Sequence, residues 1–303
     1  MNCACEGCNG AAATQAGFCA ASEKPPRKRA IKAAAPTGFI IYRGPSAYDG
    51  SPIVVVLHTG NAGNTKTTAK KFRRNVKRGL SALWIMPDTG HARPVDWIRL
   101  GHDKGACGTC VPRSKASGGE GTCYTHGNVL GRGGSAIWKK LQGGGYRDIS
   151  SLTALEWAQL MPVRPVRSAA YGDAGALPVA VWGKVERAAR MLGVSVRGYT
   201  HAWATGTVDH LRGTHMASCE TAAQVQAAQA AGWRTFRARK ASEPILASET
   251  GCPASAEGGH RTTCDVCTLC SGGMRPTSPS VSIILHGPRF RAVSSLSLSV
   301  VAS

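Results

Sequence analysis

Acidic side chains are scarce in this 303-residue chain: 17 Asp and Glu stand against 37 Lys and Arg, a formal net charge of +20. So few acids cannot neutralise the surface, and the imbalance favours a polyanionic partner such as DNA, RNA or a nucleotide. Long hydrophobic runs are lacking too. No stretch approaches the roughly 20 apolar residues of a membrane-spanning helix. The opening MNCACEGCNG has no apolar signal-peptide core. These absences exclude a helical membrane protein from the expectations and point to the cytoplasm. Two catalytic loops are also absent. No tight C-x3-C-x2-C run of the radical S-adenosylmethionine type occurs. At Gly60 to Thr67 the run GNAGNTKT carries Thr65 where a phosphate-binding G-x4-G-K-[ST] loop needs its second glycine.

What the chain does have is cysteine, 12 in all. In a reducing compartment, close C-x2-C groupings read as thiolate ligands before disulfides. Cys252, Cys264, Cys267 and Cys270 form C-P-x10-C-x2-C-x2-C. The compact part of that run has the spacing used for three corners of a [4Fe-4S] cubane, with Cys252-Pro253 as the distal ligand; four thiolates suit zinc equally in geometry. Cys107, Cys110 and Cys123 form a second set in a Gly-rich region. Three thiolates describe either a zinc site completed by His126 or His102, or a metal with one position open for chemistry. Cys3, Cys5, Cys8 and Cys19 lie in a tail, residues 1–36, without helical or strand periodicity; they read first as unstructured thiols beside a solvated basic run, with a third metal site as the alternative.

With 43% apolar residues the remainder supports a sizeable core. Short apolar runs ending in a polar residue read as buried strands: Pro52 to His58, Leu83 to Asp88, Val166 to Asp173, Val194 to His201, Thr214 to Glu220, Trp233 to Arg239 and Val281 to His286. Helices are expected over Pro178 to Leu192, with one apolar face, and over Thr221 to Ala231, closed by Gly232. Strand, helix, strand in succession predicts parallel pairing, hence an α/β fold with a full or partial barrel over residues 37–287 and a tail over 288–303. In such folds chemistry gathers at strand ends, which carry His58, Asp88, Asp173, His201, Cys219 and His286. Asp173, Tyr199 and His201 are the expected acid-base or substrate-orienting groups. Lys66, Lys70, Lys71, Arg73, Arg74, Lys77 and Arg78, with an apolar stripe at Ala69, Phe72 and Val76, read as a basic amphipathic helix able to track a phosphate backbone.

The ordered motifs GACGTC (105–110), GTCYT (121–125), YGD (171–173), GYTHAW (198–203), MAS (216–218), GWRTFR (232–237), GCPAS (251–255), TTCDVCTLC (262–270) and VSIILHG (281–287) resemble an uncharacterised family encoded by bacteriophages and prophages. The resemblance spans roughly residues 40–287. It implies a phage origin, a host-cell cytoplasmic setting and a cysteine-bound cofactor, and it carries no activity. Two functions therefore compete: a metal- or iron-sulfur-dependent enzyme acting on a nucleotide or nucleic acid, and a non-catalytic zinc-ribbon protein that binds nucleic acid.

Overall fold

The computed structural model describes residues 36–59, 79–90, 93–123, 125–128, 134–274 and 277–285. The N-terminal cysteines, the GNAGNTKT run, the basic stretch from Lys66 to Arg78, His286 and the C-terminal tail lie outside them. The fold is a mixed α/β arrangement built on ten strands: β1 (Gly38–Pro45), β2 (Pro52–His58), β3 (Ser81–Pro87), β4 (Arg147–Asp148), β5 (Val166–Tyr171), β6 (Val196–Thr200), β7 (His215–Cys219), β8 (Thr235–Arg239), β9 (Glu249–Gly251) and β10 (Ser280–Ile284). They form one sheet in the order β4-β1-β2-β3-β5-β6-β7-β8-β10-β9. Among the described residues no ladder joins β4 to β9.

Pairing is parallel except where β2 lies antiparallel to both β1 and β3. This corrects the all-parallel expectation for the first two apolar runs. Ile53 faces Pro87 while His58 faces Ala82, so His58 sits at the opposite end of the sheet from Asp88. Asp88, for its part, is held by Arg43 in an ion pair. From β3 onward the direction is constant, and the ends of β5, β6 and β7 share one edge.

The continuous apolar runs follow from burial on both faces. Ile53 to Leu57 of β2 and Leu83, Ile85 and Met86 of β3 are at most 1% exposed. Helix Val179–Met191 buries Trp182, Val185, Ala188 and Ala189. Its Trp182 packs edge-on against His215 of β7, centroids 5.1 Å apart, while the indole N–H donates to the Ala174 carbonyl at 2.7 Å. Helix Ala222–Ala230 opens with a capping box: Thr221 accepts from the Gln224 N–H, and the Gln224 amide oxygen accepts from the Thr221 N–H. No helix among the described residues is long and apolar enough to cross a membrane.

Candidate metal centres

Strand β5 ends in Tyr171-Gly172-Asp173, and the glycine is a geometric requirement. Gly172 has φ +83°, and a Cβ there would lie 2.7 Å from both the Ile85 Cβ and its carbonyl oxygen. The turn aims Asp173 inward, 4% exposed, with its N–H on the Ala106 carbonyl at 2.7 Å. Its carboxylate accepts four hydrogen bonds. Oδ1 accepts from the Tyr48 hydroxyl at 2.7 Å, the Thr200 hydroxyl at 2.8 Å and the Gly175 N–H at 2.9 Å. Oδ2 accepts from the His201 N–H at 2.8 Å. Burial, then the Asp173 charge, pushes the Tyr48 phenol far above its ordinary range. Asp173 thus holds three chain segments together, with three donors on Oδ1 and one on Oδ2.

The loop carrying the first cysteine set lands on this hub. Helix Lys104–Cys107 starts after Asp103, which is fully buried and accepts from the Ser114 N–H at 2.9 Å and the Ser114 hydroxyl at 2.6 Å. The turn is closed by the Cys110 N–H on the Cys107 carbonyl at 3.1 Å, and the Cys123 N–H reaches the Pro112 carbonyl at 2.8 Å. Gly108, at φ +56°, makes room for the Tyr48 ring. Burial drives the Cys107 thiol well up, reinforced by Cys110, Cys123, Asp103 and Asp173. Burial also raises Cys123, against the Thr125 hydroxyl and N–H, which favour its thiolate. The Thr125 hydroxyl is 2.9 Å from the Cys123 sulfur.

His201, just past the end of β6, meets these thiols. Burial works to lower its pKa, but the Cys110 thiol, hydrogen-bonded to the ring, and Glu220 outweigh it and carry it well above the ordinary value. Nε2 lies 2.9 Å from Glu220 Oε1, and Nδ1 lies 3.9 Å from Asp173 Oδ2. His126 packs instead on Asp103, its Nε2 3.8 Å from Oδ2, with both side chains fully buried. His102 is exposed.

Tyr199 separates from this group. Because strand residues alternate faces, Thr200 points to Asp173 while Tyr199 points the other way. There its ring stacks on Phe236, centroids 4.0 Å apart, and its hydroxyl donates to the Cys270 sulfur at 3.4 Å. The expected trio of Asp173, Tyr199 and His201 is therefore split between two faces of β6. Cys219 also lies apart, fully buried near Arg237, Glu249 and Glu220; burial, then these carboxylates, pushes its thiol up to about 12.

The second cysteine set covers the Tyr199 face. Cys270 neighbours Cys252, Cys267 and Cys264; burial and those thiols push it up to about 12, with the Tyr199 hydroxyl pulling the other way. Arg197, 5% exposed, donates to the carbonyls of Cys264, at 2.6 Å, and of Cys267. Burial lowers its pKa, and the nearby thiols Cys270, Cys267 and Cys264 work to raise it. Cys252 is anchored by its N–H on the Ser282 carbonyl at 2.8 Å. Burial raises this thiol, while backbone N–H groups of Ala254 and Ser255 directed at its sulfur favour the thiolate.

Among the described residues no three His, Cys, Asp or Glu side chains already stand at metal-holding geometry. The donor chemistry nevertheless fits a soft or borderline cation. Thiols that raise one another's pKa by mutual repulsion are the groups whose interactions a cation reverses, and N–H groups aimed at sulfur favour the deprotonated ligand. Tyr48, Thr200, Arg197 and Glu220 carry no sequence motif of their own; only the alternation within VRGYT, Val196 to Thr200, signals that its odd and even residues serve different faces. No protein-family model, curated protein or solved structure matches the chain.

Proposed function

We propose that this chain is a metal-braced α/β protein that holds a nucleotide or nucleic acid, with two cysteine-ligated centres, zinc or iron-sulfur, pinning loops to opposite faces of one sheet. The observation that carries it is the gathering of Cys252, Cys264, Cys267 and Cys270 over the β6 face, under the Arg197 guanidinium. Four thiolates around a divalent ion leave a net negative centre, and a buried cation beside it offsets that charge. Cys107, Cys110 and Cys123 supply the thiolates of the other centre. Bound metal would draw the neighbouring side chains together and release the thiol protons, so ligation would add to folding stability. The net charge of +20 supports the polyanionic partner, with the basic stretch from Lys66 to Arg78 its strongest element. The phage resemblance adds a reducing host cytoplasm, in which thiols stay available for metal. The long, mainly parallel sheet also suits a partial barrel.

A catalytic reading, a metal- or iron-sulfur-dependent enzyme on the same substrate class, draws on one observation. The first cysteine loop lies at the carboxyl ends of β5 and β6, where parallel sheets gather their chemistry. On that reading Asp173 and His201 stand together on the face of the first loop, while Tyr199 faces the other cysteine set.

Anaerobic purification with zinc, iron and sulfide quantified per chain tests the proposal. A colourless zinc protein that binds random-sequence nucleic acid in a salt-dependent manner is the expected result. A brown protein with sulfur-to-iron charge-transfer absorption favours the enzyme, and a folded chain without metal overturns both.

A further inference from the structure

We infer that the part-exposed face of the sheet from β5 to β8, centred on the stacked rings of Tyr199 and Phe236, takes a single strand of nucleic acid, with a base plane on the aromatic pair and phosphates passing Arg167. The inference rests on the nucleic-acid reading above and goes beyond it by giving the partner a strandedness and a surface.

Register defines the face. Arg167 pairs with Arg197, Tyr199 with Met216 and Ser218 with Phe236, so these residues share one side of the four strands. The other side is closed. Ser168, Gly198, Ala217 and Arg237 are buried there, and Trp182 of helix Val179–Met191 packs on His215. On the first side Arg167, Ala169, Tyr199, Ser218, Phe236 and Ala238 all stay part-exposed. The second cysteine set is drawn to the Arg197 end, where the guanidinium holds the carbonyls of Cys264 and Cys267, and the stripe from Ala169 to Ala238 keeps its access to solvent.

The chemistry of the stripe fits a nucleic-acid base. Strands β6 and β8 flank β7 and so lie about 10 Å apart, yet the Tyr199 and Phe236 rings meet across it with centroids 4.0 Å apart, 30° from parallel. The pair is already fixed, because the Tyr199 hydroxyl is anchored on the Cys270 sulfur at 3.4 Å. Preordered aromatic planes offer a π-face on which any base can stack, whatever the sequence. Ala169, Ser218 and Ala238 are small neighbours that leave room for a planar group. Trp203 brings a third part-exposed aromatic to the carboxyl end of the stripe, its indole N–H on the Ser218 carbonyl at 3.0 Å. Charge agrees: neither Asp nor Glu stands on this side of β5 to β8, Arg167 does, and the net charge of +20 draws a polyanion in. A duplex keeps its base faces stacked inside, whereas a single strand can splay them onto the rings.

The test follows fluorescence anisotropy of labelled random-sequence DNA and RNA oligonucleotides, single-stranded and as the matching duplexes, against the full chain and its Phe236→Leu, Phe236→Trp and Arg167→Gln variants. The parent should prefer single strands. Phe236→Leu should weaken single-strand binding about 5- to 100-fold, the loss of one stacked base, with the salt slope unchanged. Phe236→Trp should retain the affinity, which separates lost stacking from misfolding, and Arg167→Gln should reduce the log-log salt slope by about 0.7. Irradiated iodouridine-substituted strands should cross-link to Tyr199, Phe236 or Trp203 of the parent, a readout that needs no variant to fold. If the parent binds single strands while Phe236→Leu and Arg167→Gln match it and the cross-links fall elsewhere, the face assignment falls and the nucleic-acid reading stands. A parent that binds duplex at least as tightly as single strands also overturns the assignment. So does a parental dimer that Phe236→Leu makes monomeric at unchanged affinity, because the face then belongs to a second copy. If the parent binds no nucleic acid, both fall.

Discussion

Replacing Asp173 by Ala should cost stability rather than chemistry. The carboxylate accepts four hydrogen bonds, from Tyr48, Thr200, Gly175 and His201, in a site 4% exposed. Hydrogen bonds to a charged acceptor are each worth about 1.5–3 kcal/mol net. Their plain sum would rival the whole stability of a typical domain, roughly 5–15 kcal/mol. The two hydroxyls can rotate to other acceptors, whereas the Gly175 and His201 N–H groups are fixed by the backbone. Two unpaired buried donors, together with the void, give about 4 kcal/mol for Asp173→Ala. Asp173→Asn keeps one acceptor oxygen but sets an NH2 group against a donor, for about 2 kcal/mol. Urea unfolding at constant excess metal, with midpoint and slope reported for each variant, measures both. If Asp173→Ala unfolds within about 0.5 kcal/mol of the parent, the size of an ordinary surface substitution, the scaffold argument is wrong. Asp173 would then have to be reconsidered as a chemical group.

Arg197→Met should strip the donor from the Cys264 and Cys267 carbonyls and lower stability by about 2–4 kcal/mol; faster metal loss to a chelator from the second centre is the companion readout, and unchanged loss kinetics would remove Arg197 from the account. His215 is fully buried and burial lowers its pKa from 6.5 to about 4. The unfolded chain therefore takes up this proton first, so stability should fall as pH drops from about 6.5 to about 4, by about 3 kcal/mol in total. His215→Phe should flatten that segment of the pH-stability curve, and an equally steep curve in the variant would exclude His215 as its source. Changing Lys70, Lys71, Arg73 and Arg74 to Glu should weaken binding to random-sequence DNA and reduce the log-log salt slope by about 4 or more; an unchanged slope would show that the contact lies elsewhere.

Much of the sheet is legible because its core strands are nearly pure. PIVVVLH and the apolar part of LWIMP match β2 and β3 to within two residues, and the stripe of Trp182, Val185, Ala188 and Ala189 marks its helix directly. Direction is not so readable. A strand, an apparent helix and a strand suggest parallel pairing for β2 and β3, yet β2 runs antiparallel to both its neighbours. Strand β4 is two charged, exposed residues, Arg147 and Asp148, with no pattern to read. Helix Ala154–Leu160 is not among the expected helices, although a capping box of Thr153 and Glu156 starts it. At the candidate centres the cysteine spacing is local and visible. Their surroundings are not: the turn at the end of β5 sets the Asp173 N–H on the Ala106 carbonyl, next to Cys107, a contact that no local spacing marks.

Strand β6 lies between the two cysteine sets, and its side-chain alternation keeps them apart. Arg197 and Tyr199 face the second cysteine set; Thr200 faces Asp173, and the chain then turns so that the His201 N–H reaches the same carboxylate. Gly198 lies between them, paired with His215 of β7, where any Cβ would strike the Ser168 side chain. A slip of one residue would exchange the faces, bringing Arg197 toward the apolar helix side and Thr200 toward the thiols of Cys264 to Cys270. Both cysteine sets thus depend on one register, although neither set contributes a residue to β6. Metal held on either side, as proposed, would oppose the slip from that side, so the proposed centres and the register of β6 would support one another.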